Sequence, residues 1–107
     1  MNRLKAVGER GSWYATVQGE RLPCVHQANM HPDGMYRARK VSDASHDQLL
    51  AAIKSAGKVI VRKSVRQSDS ESWVAKGYVA VFEVADPEIV NDEFRFRFVR
   101  RIAELQD

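Results

Sequence analysis

"WVAKGYVAVFEV", residues 73–84, is the most apolar run in the chain, and its reading decides the fold. As a strand it places Tyr78, Ala80, Phe82 and Val84 on one face and Val79 and Val81 on the other. A strand apolar on both faces needs cover on both sides, which predicts a central position. An open two-layer sheet buries one face only. The pattern therefore predicts a mainly β, α+β domain: a strongly curved sheet or small β-barrel of about six strands, with one main helix over an opening or flank.

The flanking sequence supplies the other elements. "SWYATVQ" (12–18) is rich in strand formers, and "GE" after it predicts a hairpin in which Gly19 provides a positive φ. "RLPCVHQ" returns as a strand, and Pro23, lacking an N–H, predicts an edge or a bulge there. "NMHPDG" (29–34) reads as a turn and "MYRARKV" as a third strand. In "SDASHDQLLAAIKSAG", Ser45 and Gln48 fit a capping box, Leu49, Leu50 and Ile53 form an apolar stripe, and Gly57 suits the left-handed stop. The main helix is expected at about 46–56. "KVIVRKSV" (58–65) is a fourth strand, and the polar "RQSDSES" predicts a mobile loop over 66–72. "DPEIVNDE" is an acidic connection, long for a hairpin loop.

"FRFRFVRR" (94–101) closes the fold. It alternates phenylalanine with arginine, which is the pattern of a half-buried strand with Phe94, Phe96 and Phe98 in the core. Glu83 on the central strand is expected to meet Arg95 or Arg97 across the ladder.

A chain of 107 residues holds one domain, 1–107, with one core. With 44% hydrophobic and 29% charged residues it is a globular and not a disordered sequence. No apolar run approaches the ~20 residues of a membrane helix. "MNRLKAVGERG" lacks the apolar stretch of a signal peptide, and residues 1–11 read as a flexible N-terminus. Cys24 is the only cysteine, so no internal disulfide forms. These features predict a cytoplasmic protein with no membrane partner.

Charge is unevenly placed. Residues 35–66 carry Arg37, Arg39, Lys40, Lys54, Lys58, Arg62, Lys63 and Arg66 against Asp43 and Asp47, a net +6. Residues 78–107 carry four arginines against seven acids, a net −3. The arginines of "FRFRFVRR" thus lie among carboxylates, and the stronger candidate for a polyanion is the middle segment. Were the third and fourth strands neighbours, Arg37, Arg39, Arg62, Lys63 and Arg66 would form one patch for phosphates. Trp13, Tyr36 and Trp73 would then supply stacking surfaces. RNA or DNA is the partner this predicts, with an acidic protein as the alternative.

Other chemistry is less well marked. Cys24, His26 and His31 form C-x-H-x4-H, which matches no standard zinc pattern. Cys24 with His26 as a dyad for a small enzyme acting on a nucleotide or amide substrate lacks any marker of an oxyanion hole. No glycine-rich phosphate loop, nucleophile elbow or metalloprotease helix occurs. The sequence predicts no catalytic residue and calls for no metal or cofactor.

"VQGERLPCVHQ", "KVIVRKSV" and "KGYVAVFEV", in that order, resemble the PUA-like superfamily, particularly its ASCH and EVE branches, over about residues 12–85. The resemblance implies a small β-barrel with short helices and a non-enzymatic module that binds RNA or modified DNA. The ASCH hairpin usually begins Gly-x-Lys with a basic residue several positions on. Here Gly19 is followed by Glu20 and Arg21, with His26 at the later position. No catalytic residue carries over.

Overall fold

The computed structural model describes residues 3–9, 14–39, 43–65 and 74–106. The strands in chain order are β1 (Ala6–Gly8), β2 (Tyr14–Val17), β3 (Glu20–His26), β4 (Met35–Arg39), β5 (Lys58–Val65), β6 (Val74–Val90) and β7 (Glu93–Glu104). A 3-10 turn, Gln27–Asn29, follows β3, and one α-helix, α1 (Asp43–Ala56), precedes β5. The predicted loop 66–72 lies outside the described residues.

The strands form a single sheet in the order β1-β2-β3-β5-β6-β7-β4. This corrects the expected barrel: β1 and β4 are the two ends of the order, and no ladder joins them. β6 is central as expected, between β5 and β7. Its two apolar faces have another cause, which is that the middle of the sheet is covered on both sides. On β5, Val59 and Val61 enter one core cluster and Ile60 the other; on β6, Val84 joins the first and Val81 the second.

The first cluster also holds Val25, Tyr36, Phe94 and Phe96, with Ile53 of α1 packed on it. The second holds Ala15, Val17, Leu22, Cys24 and Leu105. Helix and β7 cover one face; the β2–β3 hairpin and the C-terminal segment cover the other. Side chains such as Phe94, Phe96, Ile53 and Ile60 are 0–1% exposed, and each contributes about 1.5–3 kcal/mol through burial.

Local details follow from residue chemistry. β3 and β5 run parallel through Cys24–His26 against Ile60–Arg62, which requires a long crossover; α1 lies within it. Pro23 is not on an edge strand. It pairs with Tyr14 of β2 and stops one residue short of the β5 ladder, where its missing N–H costs no β5 partner. The β2–β3 turn is Gln18–Gly19, both with positive φ, one residue earlier than expected. α1 starts at Asp43, three residues ahead of the expected 46, so Ser45 lies inside the helix and not at its N-cap. It ends as predicted: Gly57 has φ +68, and its N–H donates to the Ile53 carbonyl at 2.8 Å.

β6 continues through Asp86 and Pro87 to Val90 with register shifts. The connection to β7 is therefore Asn91–Asp92 alone, both left-handed, and not an eight-residue loop. That turn position sets the cross-strand pairs. Glu83 faces Arg100, at 2.6 Å, and not Arg95 or Arg97. Arg95 instead approaches Glu88 at 3.1 Å, and Arg97 approaches Asp86 at 3.3 Å. "FRFRFVRR" is thus a core strand with an ion-paired outer face. Phe96 stacks on Tyr36 at 4.6 Å and meets Phe94 and Phe98 edge-on.

No helix among the described residues is long and apolar enough to cross a membrane.

Candidate nucleic-acid interface

The cations expected to form one patch are divided by the strand order. β6 and β7 lie between β4 and β5, so Arg37 and Arg39 do not adjoin Arg62 and Lys63. Arg37 is held by Asp33 at 2.7 Å, and this bond keeps the Asp33 carboxyl below its usual range. Arg39 ends β4, opposite Glu93 of β7. Trp13, Arg66 and Trp73 lie outside the described residues.

Tyr36 is 2% exposed, with its ring inside the first core cluster. Its hydroxyl accepts hydrogen bonds from Asn29 Nδ2 at 3.2 Å and from the His26 backbone N–H at 3.4 Å. Burial pushes its pKa up. A ring in this position ties β4 to the end of β3 and offers no face for a base to stack on.

Ion pairing removes most other cations from consideration. Lys58 pairs with Glu20, Arg21 with Glu9, Arg100 with Glu83 and Arg101 with Glu104. Among the described residues, Arg3, Lys5, Lys54, Lys76 and Arg62 are in no ion pair, and the first four are exposed. Arg62 is half-buried, and its Nε is buried with no hydrogen-bond acceptor. Arg95 Nε is also unbonded, but a Glu88 oxygen 3.1 Å away compensates its charge. Arg62 has no such compensation, and a buried unsatisfied donor costs about 1–3 kcal/mol.

Arg62 stands opposite Tyr78 in the β5–β6 ladder, beside a register shift at Val61/Arg62. One step further along β5, Lys63 lines a cleft of about 130 Å³ with Arg3, Tyr78, Val79, Arg101, Glu104 and Leu105. Three elements meet there. Arg3 is brought in by the segment before β1, because Leu4 bridges Leu105 and its N–H donates to the Glu104 carbonyl at 2.9 Å. Arg101 is oriented by Glu104 at 2.5 Å, with its guanidinium 5.6 Å from the Phe82 ring centroid.

Tyr78 forms the wall of the cleft. Its hydroxyl packs against Gly8 of β1 so closely that a Cβ on Gly8 would lie 2.5 Å from it. A side chain at Gly8 would require the Tyr78 hydroxyl to shift. Burial raises the Tyr78 pKa, so its phenol stays protonated and able to donate.

Cys24 offers nothing comparable for catalysis. It is 5% exposed, and burial pushes its pKa up to about 11, so the nucleophilic thiolate is disfavoured. No group of three His, Cys, Asp or Glu among the described residues is placed to hold a metal ion.

Arg3, Tyr78 and Arg101 were not among the residues expected to bind. Arg3 falls in the stretch read as a flexible N-terminus, and the nonlocal bridge between Leu4 and Leu105 brings it here. Tyr78 read as one more apolar-face position of β6, and nothing in its spacing marks it as lining a cleft. Arg101 belongs to "FRFRFVRR", whose arginines lie among carboxylates in the sequence.

No family model matches the chain, and no curated protein or solved structure is significantly similar to it. The PUA-like resemblance and the RNA-binding and cytoplasmic expectations gain no support from known proteins, and the barrel that the resemblance implied is not formed.

Proposed function

We propose that this protein is a non-enzymatic nucleic-acid-binding module that engages RNA or DNA beside the Arg62–Tyr78 pair of the β5–β6 ladder. The observation that carries this reading is the gathering of Arg3, Lys63 and Arg101 around Tyr78, with Arg62 opposite Tyr78 in the ladder, while Arg37 of β4 and Arg95, Arg97 and Arg100 of β7 are paired with acids. Cations gathered in one place attract the phosphate backbone. The Tyr78 phenol adds a hydrogen-bond donor beside them.

Two observations weigh against the enzyme alternative: the buried thiol of Cys24 and its raised pKa. A lone reduced cysteine fits a cytoplasmic location.

The test is fluorescence anisotropy with single-stranded and duplex RNA and DNA at low salt, alongside a polyglutamate peptide. The reading expects saturable binding to at least one nucleic acid, weakened by Arg62→Gln and by Lys63→Gln. Binding to the acidic peptide with none to nucleic acid would transfer the patch to a protein partner.

A further inference from the structure

Among the described residues, the cations in no ion pair are not scattered, and their placement deepens the nucleic-acid reading above, on which this inference rests. Of Arg3, Lys5, Lys54, Lys76 and Arg62, Lys54 stands apart on α1. The other four follow one another past Tyr78. Arg62 is opposite Tyr78 in the β5–β6 ladder. Lys76 lies two residues before Tyr78 on β6. Lys63 pairs with Gly77 and Ser64 with Ala75, so Lys76 is the extra residue of a bulge. Gly77 between Lys76 and Tyr78, at φ +141, presents bare backbone to a ligand.

The other side of Tyr78 continues the series. Arg3 lines the cleft that Tyr78 walls. Arg3, Lys5 and Val7 are exposed, whereas Leu4 and Ala6 pack on the second core cluster. That alternation puts Arg3 and Lys5 on the outer face of the segment leading into β1, with Cα atoms about 7 Å apart. The acids closest in the ladder hold other cations: Glu104 holds Arg101 and Glu83 holds Arg100. The four form a file and not a broad patch. A duplex presents two rows of phosphates across grooves about 6 and about 12 Å wide, and one file meets only one row. A single strand lays its whole backbone along such a file. We infer that the ligand is a single strand, running from Lys76 past Arg62 and Tyr78 to Arg3 and Lys5.

The experiment measures fluorescence anisotropy at low salt with uniform-sequence single strands of about 4 and about 12 nucleotides, within the site sizes of small single-strand binders, and with a duplex of the longer strand. The longer strand reaches Lys5 and Lys76 and is expected to bind about tenfold tighter than the shorter one. The duplex is expected to bind more weakly than the longer strand, although it carries the denser charge. Lys5→Gln with Lys76→Gln should remove most of the gain with length. Both lysines are exposed, and a thermal melt of the double variant verifies folding. A gain that survives the double variant, or no gain at all, overturns the path. A duplex that binds as tightly as the longer strand overturns the single-strand assignment while leaving nucleic-acid binding intact. No binding of any strand or duplex overturns the functional reading itself.

Discussion

Arg62 faces Tyr78 across the β5–β6 ladder with its Nε buried and no acceptor within reach. A guanidinium held this way destabilises the free protein, and under the proposed function a phosphate oxygen would supply the missing acceptor. Replacing it with methionine, which keeps the length and removes the orphan donor, is expected to raise stability by about 1 kcal/mol. That is several degrees in Tm for a domain of this size. Nucleic-acid affinity should fall in the same variant. A loss of stability in thermal melts would show that Arg62 is structural.

The two faces of β7 differ sharply in what they contribute. Phe96→Ala removes a fully buried ring stacked on Tyr36 and is expected to cost about 3–5 kcal/mol. Arg97→Ala removes an ion pair with Asp86 whose side chains are 52% and 76% exposed, and is expected to cost less than about 1 kcal/mol. Urea unfolding of the two variants measures both, and comparable losses would mean that the ion-paired face holds the strand.

Backbone conformation gives a pair of opposite effects. Gly57 at φ +68 ends α1, and Gly57→Ala should destabilise by about 1 kcal/mol. Asp92 at φ +62 occupies the second position of the β6–β7 turn, where glycine is favoured. Asp92→Gly should stabilise by about 0.5 kcal/mol. Chemical denaturation of both variants tests the assigned turns, and two shifts of the same sign would contradict them.

Cys24 makes stability depend on alkaline pH. Its folded pKa of about 11 lies above the ordinary 9.0. The thiolate is therefore accessible to the unfolded chain first, and above pH 9 the folded state binds more protons than the unfolded one. The stabilisation from the neutral thiol is complete below pH 9 and is lost as pH rises through about 11. Its full size is about 2–3 kcal/mol. Melts from pH 8 to 11 should decline more steeply for the wild type than for Cys24→Ala; parallel curves would mean that the thiol is solvated.

What could be read from the sequence was local. The period-two phenylalanines of "FRFRFVRR", the bounds of "KVIVRKSV" and the Gly57 stop all depend on neighbouring residues, and all appear in the structure. The sheet closure did not follow from them. An apolar run such as "GYVAVF" demands cover on both faces but does not say whether a barrel wall or a helix and a hairpin provide it. The candidate site was legible in part. Arg62 and Lys63 are neighbours on β5, but Arg37 and Tyr36 went elsewhere because strand order and burial depend on contacts far apart in sequence. Arg3 joined for the same reason.

The central claim is that Arg3, Arg62, Lys63 and Arg101 meet phosphates, and the salt dependence of binding tests it most directly. Four such contacts to a single strand predict a slope of log K against log salt of about −3. In the Arg3→Gln, Arg62→Gln, Lys63→Gln triple variant it should fall to about −1, while Arg97→Gln, on an ion-paired side chain, leaves it unchanged. Absence of binding at low salt, or the same slope in the triple variant, would contradict the account.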